Sequence, residues 1–195
     1  MDATAEVHLL AEVWKAASYS AFIVNWVTAE VASPTFAHLY DGLSERLLNK
    51  IRENPRQDAG NFTDSEVREM ETALRKARHN LFGFYKVGPS MSFRRVRVPL
   101  LSLKKFDVMK PFVGKWPNFG AWAMYEQLTG KLGLLKSVKN MMSLMKLGVN
   151  PCGCPVAIWS PEGPPVLIEG YKRSLLAVHC GEPMVDVMMC LPEGV

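Results

Sequence analysis

The chain has 195 residues, of which 48% are hydrophobic and 22% are charged. This composition excludes an intrinsically disordered chain, and the length accommodates one large domain or two small ones. The formal net charge of +4 is modest.

The charges are distributed unevenly along the chain. Residues 1–73 contain 6 Lys/Arg and 12 Asp/Glu, residues 74–151 contain 15 and 2, and residues 152–195 contain 2 and 5. A middle third this basic is typical of a surface that binds a polyanion such as nucleic acid or anionic lipid. The alternative is a basic face that the acidic N-terminal third balances internally, and the sequence leaves both interpretations open.

The first half of the chain has the apolar periodicity of helices. The pattern predicts three of them, over residues 3–32, over residues 35–53 and from Thr63 to about Leu81. Thr63 and Glu66 have the spacing of a capping box. Residues 16–29 carry no charge but are too few to span a bilayer, which takes about 20 apolar residues. We therefore interpret the first helix as a buried core helix, with peripheral membrane contact as the alternative.

The second half of the chain mixes strand and helix patterns. Residues 93–98 alternate between apolar and basic, which predicts a strand with Arg95 and Arg97 on one face. An aromatic loop over 110–120, a helix through Trp122 and a Met-rich helix over 135–147 are predicted to follow. We therefore predict an α+β fold, in which a helical region over 1–85 packs on a mixed sheet-and-helix domain over 93–195.

The four cysteines do not form a recognisable disulfide or zinc pattern. Cys152 and Cys154 are separated by one residue, whereas zinc sites usually use a Cys-x-x-Cys pair with a matching second pair. The N-terminus is acidic and shows no cleavable signal peptide. Reduced thiols in the cytoplasm are the simplest interpretation.

Residues 164–177 have the pattern of a turn, an apolar strand, a glycine and a helix. Gly170 lies where the strand becomes the helix, and Lys172 and Arg173 follow it. A helix N-terminus offers N–H groups and partial positive charge, so two cations at this point predict a phosphate-binding site. The alternative is an ordinary strand-to-helix turn with two solvated cations.

A nucleotide is the ligand that this pattern predicts first. The predicted nucleotide-binding residues are Gly170, Tyr171, Lys172, Arg173 and Ser174. Neighbouring strand side chains point opposite ways, so either Ile168 or Glu169 faces the ligand. If Glu169 does, its carboxylate would hold a divalent cation such as Mg²⁺ or activate water. Glu169, Asp107 and Arg173 are the candidate catalytic residues.

The basic middle third also predicts a groove for nucleic acid with little sequence specificity. Its predicted DNA-binding residues are Arg94, Arg95, Arg97, Lys104, Lys105, Lys110 and Lys115, and Phe106, Phe112, Trp116 and Phe119 lie between them as stacking rings. The alternative is that the rings belong to the core and the cations are solvated. Asp107 and Glu126 are the only acids in this stretch, which makes Asp107 a candidate for nuclease chemistry.

The segment from Gly170 to Arg173 resembles the Gly-x-x-Arg signature of the ParB/sulfiredoxin superfamily, whose members bind nucleotide phosphates at a strand–turn–helix. Residues 96–103, 148–163 and 179–189 resemble the other elements of the family in their order, so the resemblance covers about residues 93–192. Tyr171 stands where sulfiredoxins have their catalytic cysteine, so thiol chemistry is not expected. Tyr171 and Lys172 also replace residues of the ParB signature Gly-Glu-Arg-Arg.

The size and the helical front half are similar to those of a group within this superfamily, the plasmid fertility-inhibition proteins of the Osa type. That resemblance implies an ATP-binding, DNA-directed hydrolase, both ATPase and DNase, which inhibits conjugative transfer through a type IV secretion channel. It also implies ATP and a divalent cation as cofactors, a coupling protein as partner and peripheral inner-membrane association. Two alternatives stay open: a nucleotide-dependent serine-type kinase, and a non-enzymatic module that occludes the coupling protein.

Overall fold

The computed structural model describes residues 15–33, 36–55, 57–109, 116–130, 134–146, 153–161 and 163–192. These residues form helices and a six-stranded mixed sheet, with mainly helices in the first half, which confirms the predicted α+β class. The described chain divides into two compact units. A helical unit comprises residues 17–93 with Gly153 and Cys154, and a sheet unit comprises the other described residues.

The helical unit is built from four α-helices and two 3₁₀ turns. They are α1 (Tyr19–Val31), α2 (Glu45–Glu53), α3 (Asp64–Ala77) and α4 (His79–Tyr85), with the 3₁₀ turns at Ala37–Tyr40 and Ala59–Asn61. Large apolar side chains of these elements form its buried core: Phe22, Trp26, Tyr40, Leu47, Ile51, Met70 and Leu74. The predicted second helix is in fact a 3₁₀ turn followed by α2, because Asp41 and Gly42 interrupt it.

The helix boundaries show where the periodicity alone misleads. Lys15–Ala17 form strand β1, and Ser18 caps α1 by accepting a hydrogen bond from the Ala21 N–H (3.0 Å). A serine in extended conformation starts a helix rather than continuing one, so the prediction of helix over residues 15–18 is wrong. Residues 3–14 of that prediction lie outside the described residues. Thr63 and Glu66 form the predicted capping box of α3.

Two networks of charged side chains join α3 to the rest of the helical unit. Glu30 is fully buried and accepts hydrogen bonds from the Arg78 guanidinium and the Tyr40 hydroxyl. Arg75 donates to Glu71 (2.8 Å) and to the Tyr19 hydroxyl (2.8 Å). Both arginines belong to the basic middle third, and both of their acids to the acidic N-terminal third. For these two cations the internal balance of charge is therefore the correct interpretation.

The helical unit also contains a short distant segment of the chain. The Asn25 side chain, which is buried, accepts a hydrogen bond from the Cys154 N–H (2.8 Å) and donates one to the Cys154 carbonyl (3.2 Å). These two bonds satisfy both backbone polar groups of Cys154, which are also buried and would be costly to leave without partners.

Besides most of β1, the described part of the sheet unit contains five strands and four helices. They are β2 (Ser92–Pro99), α5 (Leu100–Lys105), β3 (Asp107–Val108), α6 (Phe119–Thr129), α7 (Leu134–Lys146), β4 (Val156–Ile158), β5 (Val166–Glu169), α8 (Tyr171–Cys180) and β6 (Met184–Leu191). The strand order is β1-β2-β6-β4-β5-β3, with β4 parallel to β6 and antiparallel to β5, and β3 parallel to β5. Residues 100–103, predicted as strand, are helical, and β3 was not predicted.

One face of the sheet packs on the helices of its own unit. Val108, Leu167, Ala157 and Met189 lie in register across four strands and are all fully or almost fully buried. They share a core with side chains from every helix of the unit, among them Leu103, Phe119, Trp122, Val138 and Leu175. In β2 the predicted alternation is confirmed, because Val96 and Val98 are buried and Arg95 and Arg97 are exposed.

Among the described residues, no helix combines the length and the apolar character that crossing a bilayer requires.

Candidate functional site

The strand-to-helix turn at Gly170 is fixed by a conformation and a contact that exclude other residues. Gly170 has φ +87° and is the N-cap of α8. A Cβ atom at this position would lie 2.6 Å from the Pro155 Cα and 2.9 Å from its Cβ. Left-handed backbone and close approach both favour glycine. The backbone of the turn is therefore held tightly against the residue that precedes β4.

The first turn of α8 contains a buried hydroxyl group without a partner. The Ser174 N–H donates the first helical hydrogen bond, to the Gly170 carbonyl (2.8 Å). The Ser174 side chain is completely buried, and its Oγ has no hydrogen-bond partner among the described residues. Helical side chains tilt toward the N-terminus, so this hydroxyl leans over the Gly170 turn. Buried hydroxyl groups are nearly always hydrogen-bonded, so this one is available to a water or a ligand atom. The indole N–H groups of Trp26, Trp116 and Trp122 are also buried without a partner among the described residues.

Both cations of the turn interact with Glu169, the acid that precedes it, and Arg173 forms an ion pair with it. The Arg173 guanidinium forms an ion pair with Glu169, and the two side chains are only 12% and 14% exposed. The Arg173 Nη2 lies 3.2 Å from the position that a Cβ on Gly170 would occupy, so the guanidinium lies across the turn. Burial lowers the pKa of the Lys172 ammonium, and the charge of Glu169 opposes that shift. Glu169 lies on β5 and Arg173 on α8, so the pair depends on the turn at Gly170 and not on a helical spacing that the sequence would show.

A shift in strand register determines which way Glu169 points. Along the β4–β5 pair, Ala157 is opposite Leu167 but Val156 is opposite Glu169, so β5 contains one extra residue at this point. Residues opposite one another place their side chains on the same face. Glu169 therefore lies on the face of Val156, away from the core face of Leu167, although it is only two residues further along the strand. Register shifts of this kind commonly redirect a side chain beside a site.

Asp107 lies on the same face of the sheet as Glu169. Asp107 is opposite Val166 on β5, and Val166 is opposite Ile158, two residues from Val156 on β4. Glu169 is three residues along β5 from the position opposite Asp107, a span that faces two residues of β4. With strands about 4.8 Å apart and a rise of about 3.3 Å per residue, the Asp107 and Glu169 Cα atoms are therefore about 8–11 Å apart. Partial burial raises the pKa of the Asp107 carboxyl. The structure thus places the two predicted catalytic carboxylates on adjacent strands and on the same face of the sheet.

The residues of this site fit a Mg²⁺–nucleotide complex. Mg²⁺ is usually bound by one or two protein carboxylates together with substrate phosphates, and Asp107 and Glu169 are the carboxylates on the relevant face. Lys172, Arg173 and the amides of the first helical turn suit the phosphates. No group of three or more His, Cys, Asp or Glu side chains with metal-binding geometry occurs within the described part of the chain, so phosphates and water would have to supply the remaining ligands.

Tyr171 is engaged within the protein. Its hydroxyl donates to the Leu167 carbonyl (2.6 Å) and accepts from the Met109 N–H (2.8 Å). Its ring packs edge-on against Trp122, with ring centroids 5.2 Å apart. These contacts hold the end of β3 against β5 and α8. A direct contact between Tyr171 and a nucleotide, as the sequence predicts, would compete with these contacts, and nothing in the sequence indicated this structural role.

The predicted DNA-binding residues are placed unequally. Arg95 and Lys105 are exposed, Arg94 and Lys104 are half-buried, and Lys110 and Lys115 lie outside the described residues. Arg97 donates hydrogen bonds of 2.7 and 3.3 Å to Asp186 on β6. This pairing lowers the net positive charge of the strand face.

The aromatic rings of the basic stretch correct part of the prediction. Phe106 and Phe119 are 2% and 0% exposed and belong to the core. The prediction that they serve as stacking rings for bases is therefore wrong, because a buried ring presents no face to a ligand. Trp116 is half-buried against Tyr125, with ring centroids 4.4 Å apart, and Phe112 lies outside the described residues.

The chain was compared with protein-family models, with curated proteins and with solved structures, and none of the three comparisons found a match. The likeness to the ParB/sulfiredoxin superfamily stays a prediction from the residues around Gly170.

Proposed function

We propose that this protein binds Mg²⁺–ATP at the Gly170 turn and hydrolyses it, and that it acts as a DNA-directed hydrolase that inhibits conjugative or type IV secretion-mediated DNA transfer. The observation that carries the ATP-binding step is the Gly170 turn itself. Three features occur within five residues. Position 170 accommodates only glycine, the helix N-terminus contains the buried Ser174 hydroxyl, which has no partner among the described residues, and Lys172 and Arg173 supply two cations. This combination of amides and cations suits a phosphate chain.

Each residue of the site has a separate role in this proposal. Lys172, Arg173 and the amides of the first turn of α8 hold the phosphates and stabilise the charge that develops during transfer. Asp107 and Glu169 hold the divalent cation, which supplies Lewis-acid polarisation of the phosphate oxygens. Burial raises the pKa of the Asp107 carboxyl, and a bound cation would oppose that shift by favouring the ionised form.

The DNA-directed part of the proposal rests on the resemblance and on the exposed cations. Arg95 and Lys105 suit contacts to the phosphate backbone, which position a protein on DNA without reading its sequence. The coupling protein of the secretion channel and the inner membrane belong to the proposal as partner and location on the same resemblance.

A serine-type kinase is the second candidate, and the burial of Phe106 and Phe119 favours it. Without these rings as stacking surfaces, the basic stretch has fewer groups for single-stranded DNA, whereas the Gly170 turn would still serve ATP. ATP turnover that added DNA leaves unchanged, with transfer of the phosphate to free serine, would favour the kinase. Transfer inhibition that survives Arg173→Ala would instead favour the non-enzymatic module.

The double substitution Lys172→Ala and Arg173→Ala tests nucleotide binding directly. We expect it to weaken the binding of a non-hydrolysable ATP analogue by about 2–5 kcal/mol, because two charged contacts in a largely buried turn are lost. Isothermal titration calorimetry in the presence of Mg²⁺ measures this loss.

The matched control is Arg52→Ala with Lys76→Ala, which removes the same charges from exposed positions of the helical unit. An unchanged affinity is expected for the control. An unchanged affinity in the Lys172/Arg173 variant would contradict the proposed site.

A further inference from the structure

The Glu169 carboxylate already binds the guanidinium that the proposed phosphate needs. Glu169 and Arg173 lie on opposite sides of Gly170 along the chain and close over it as an ion pair. Because both side chains are largely buried, water screens this pair much less than it would screen a surface pair. An anion that approaches Arg173 therefore meets a negative charge at the same guanidinium.

A phosphate and the Glu169 carboxylate cannot both remain there without a cation between them. Two anions within a few ångström in a poorly screened site repel each other strongly. Lys172 adds one positive charge, but its own ionised form is disfavoured by burial. Either the carboxylate moves away from Arg173, or a cation bridges it to the incoming phosphate.

Resting on the proposed function, we propose that the Glu169–Arg173 pair is a latch that selects the metal-bound form of the nucleotide. In the absence of ligand, Glu169 closes the Gly170 turn as an internal anion. When the nucleotide binds, its phosphate pairs with Arg173. The Glu169 carboxylate then binds the cation of the nucleotide complex, beside Asp107 on the same face of the sheet. Glu169 thereby determines specificity: it opposes free nucleotides and inorganic phosphate and admits their Mg²⁺ complexes.

The register shift in β5 makes this exchange possible. In an unshifted strand, Glu169 would share the core face of Leu167, on the opposite side of the sheet from Asp107. On the shifted strand, Glu169 lies on the face of Asp107, so a change of side-chain rotamer moves the carboxylate from Arg173 to a cation beside Asp107 without a change of face. The latch therefore depends on backbone geometry and on one side chain.

The experiment measures the affinity for a non-hydrolysable ATP analogue by calorimetry, with excess Mg²⁺ and with EDTA, for the full chain and for Glu169→Gln. Glutamine keeps the shape of the side chain but removes its charge. We expect Glu169→Gln to bind the metal-free analogue at least about tenfold more tightly than the wild type, the range of one charge-assisted hydrogen bond. The gain in affinity from Mg²⁺ should be smaller in the variant than in the wild type.

Glu182→Gln is the control, since it removes the same charge just beyond the C-terminal end of α8 and is exposed. Its affinities should equal those of the wild type. Glu169→Asp is the second variant, because its shorter side chain weakens the pair with Arg173 and keeps the charge. It should bind the metal-free analogue with an affinity between those of the wild type and Glu169→Gln.

The outcomes separate the latch from the proposed function. If the wild type and Glu169→Gln bind the metal-free analogue equally, the latch is wrong, although ATP binding stands. Suppose that, with EDTA, Glu169→Gln binds the analogue and the wild type does not, and that the variant binds inorganic pyrophosphate as tightly as the analogue. The latch is then supported and the ATP assignment is wrong. If no correctly folded variant binds any of these phosphates, both are wrong.

Discussion

Replacing Gly170 with alanine perturbs the candidate site at its most constrained point. The new Cβ meets two separate costs. A non-glycine residue in left-handed backbone costs about 1–2 kcal/mol, and φ is +87° here. The Cβ would also lie 2.6 Å from the Pro155 Cα, a backbone atom that cannot rotate away. Overpacking of this kind typically costs about 1–3 kcal/mol, so we expect Gly170→Ala to lower the free energy of unfolding by about 2–5 kcal/mol.

The other end of the same helix provides the matched control. Gly181 is the C-cap of α8 with φ +67°, and no atom lies within 4 Å of a Cβ built on it. Gly181→Ala therefore meets the backbone cost of about 1–2 kcal/mol without the contact cost. The difference between the two variants isolates the contribution of the contact with Pro155.

Urea unfolding of both variants, followed by tryptophan fluorescence and circular dichroism, measures the two free energies. Gly170→Ala should also lose affinity for the ATP analogue, because the turn must move to relieve the contact, whereas Gly181→Ala should keep it. Equal destabilisation by the two substitutions would refute the reasoning from the Pro155 contact. Normal nucleotide binding by a destabilised Gly170→Ala would remove the turn from the binding site.

Two further predictions concern charged groups. Arg78→Ala leaves the fully buried Glu30 carboxylate without its guanidinium. We therefore expect urea unfolding to show that the free energy of unfolding falls by about 3–5 kcal/mol. The exposed control Lys76→Ala should lower it by less than about 0.5 kcal/mol. The raised pKa of Asp107 means that the folded chain keeps this proton at a pH where the unfolded chain has lost it. Its contribution therefore favours folding at acid pH and declines as the pH rises through the raised pKa. Asp107→Asn should gain stability relative to the wild type between pH 4 and pH 7, and a constant difference over that range would contradict the assignment.

The sequence predicted those elements whose signals are local. The capping box of Thr63 and Glu66, the alternation in β2 and the strand–glycine–helix order at Gly170 each lie within a few residues, and each is confirmed. The start of α1 failed because apolar periodicity continues through residues 15–17, which form a strand. Only Ser18, as a cap, carried a local signal for the boundary.

The sequence indicated which residues belong to the candidate site, but not how they are arranged relative to one another. The sequence singled out Glu169 and Arg173, yet which face Glu169 occupies depends on one extra residue in β5 relative to β4. Asp107 was singled out by its scarcity among cations, but its place beside β5 comes from a two-residue strand that has no periodicity to detect. Pairing between distant strands decides both positions, and no local pattern encodes it.

The hydrogen bonds between Asn25 and Cys154 affect how the chain can fold during synthesis. The two residues are separated by 129 positions, so the helical unit cannot be complete when its helices have left the ribosome. The buried amide of Asn25 must wait for most of the remaining chain to be translated. A gene fragment that ends after residue 93 would encode all four helices and still lack the backbone groups that this amide holds.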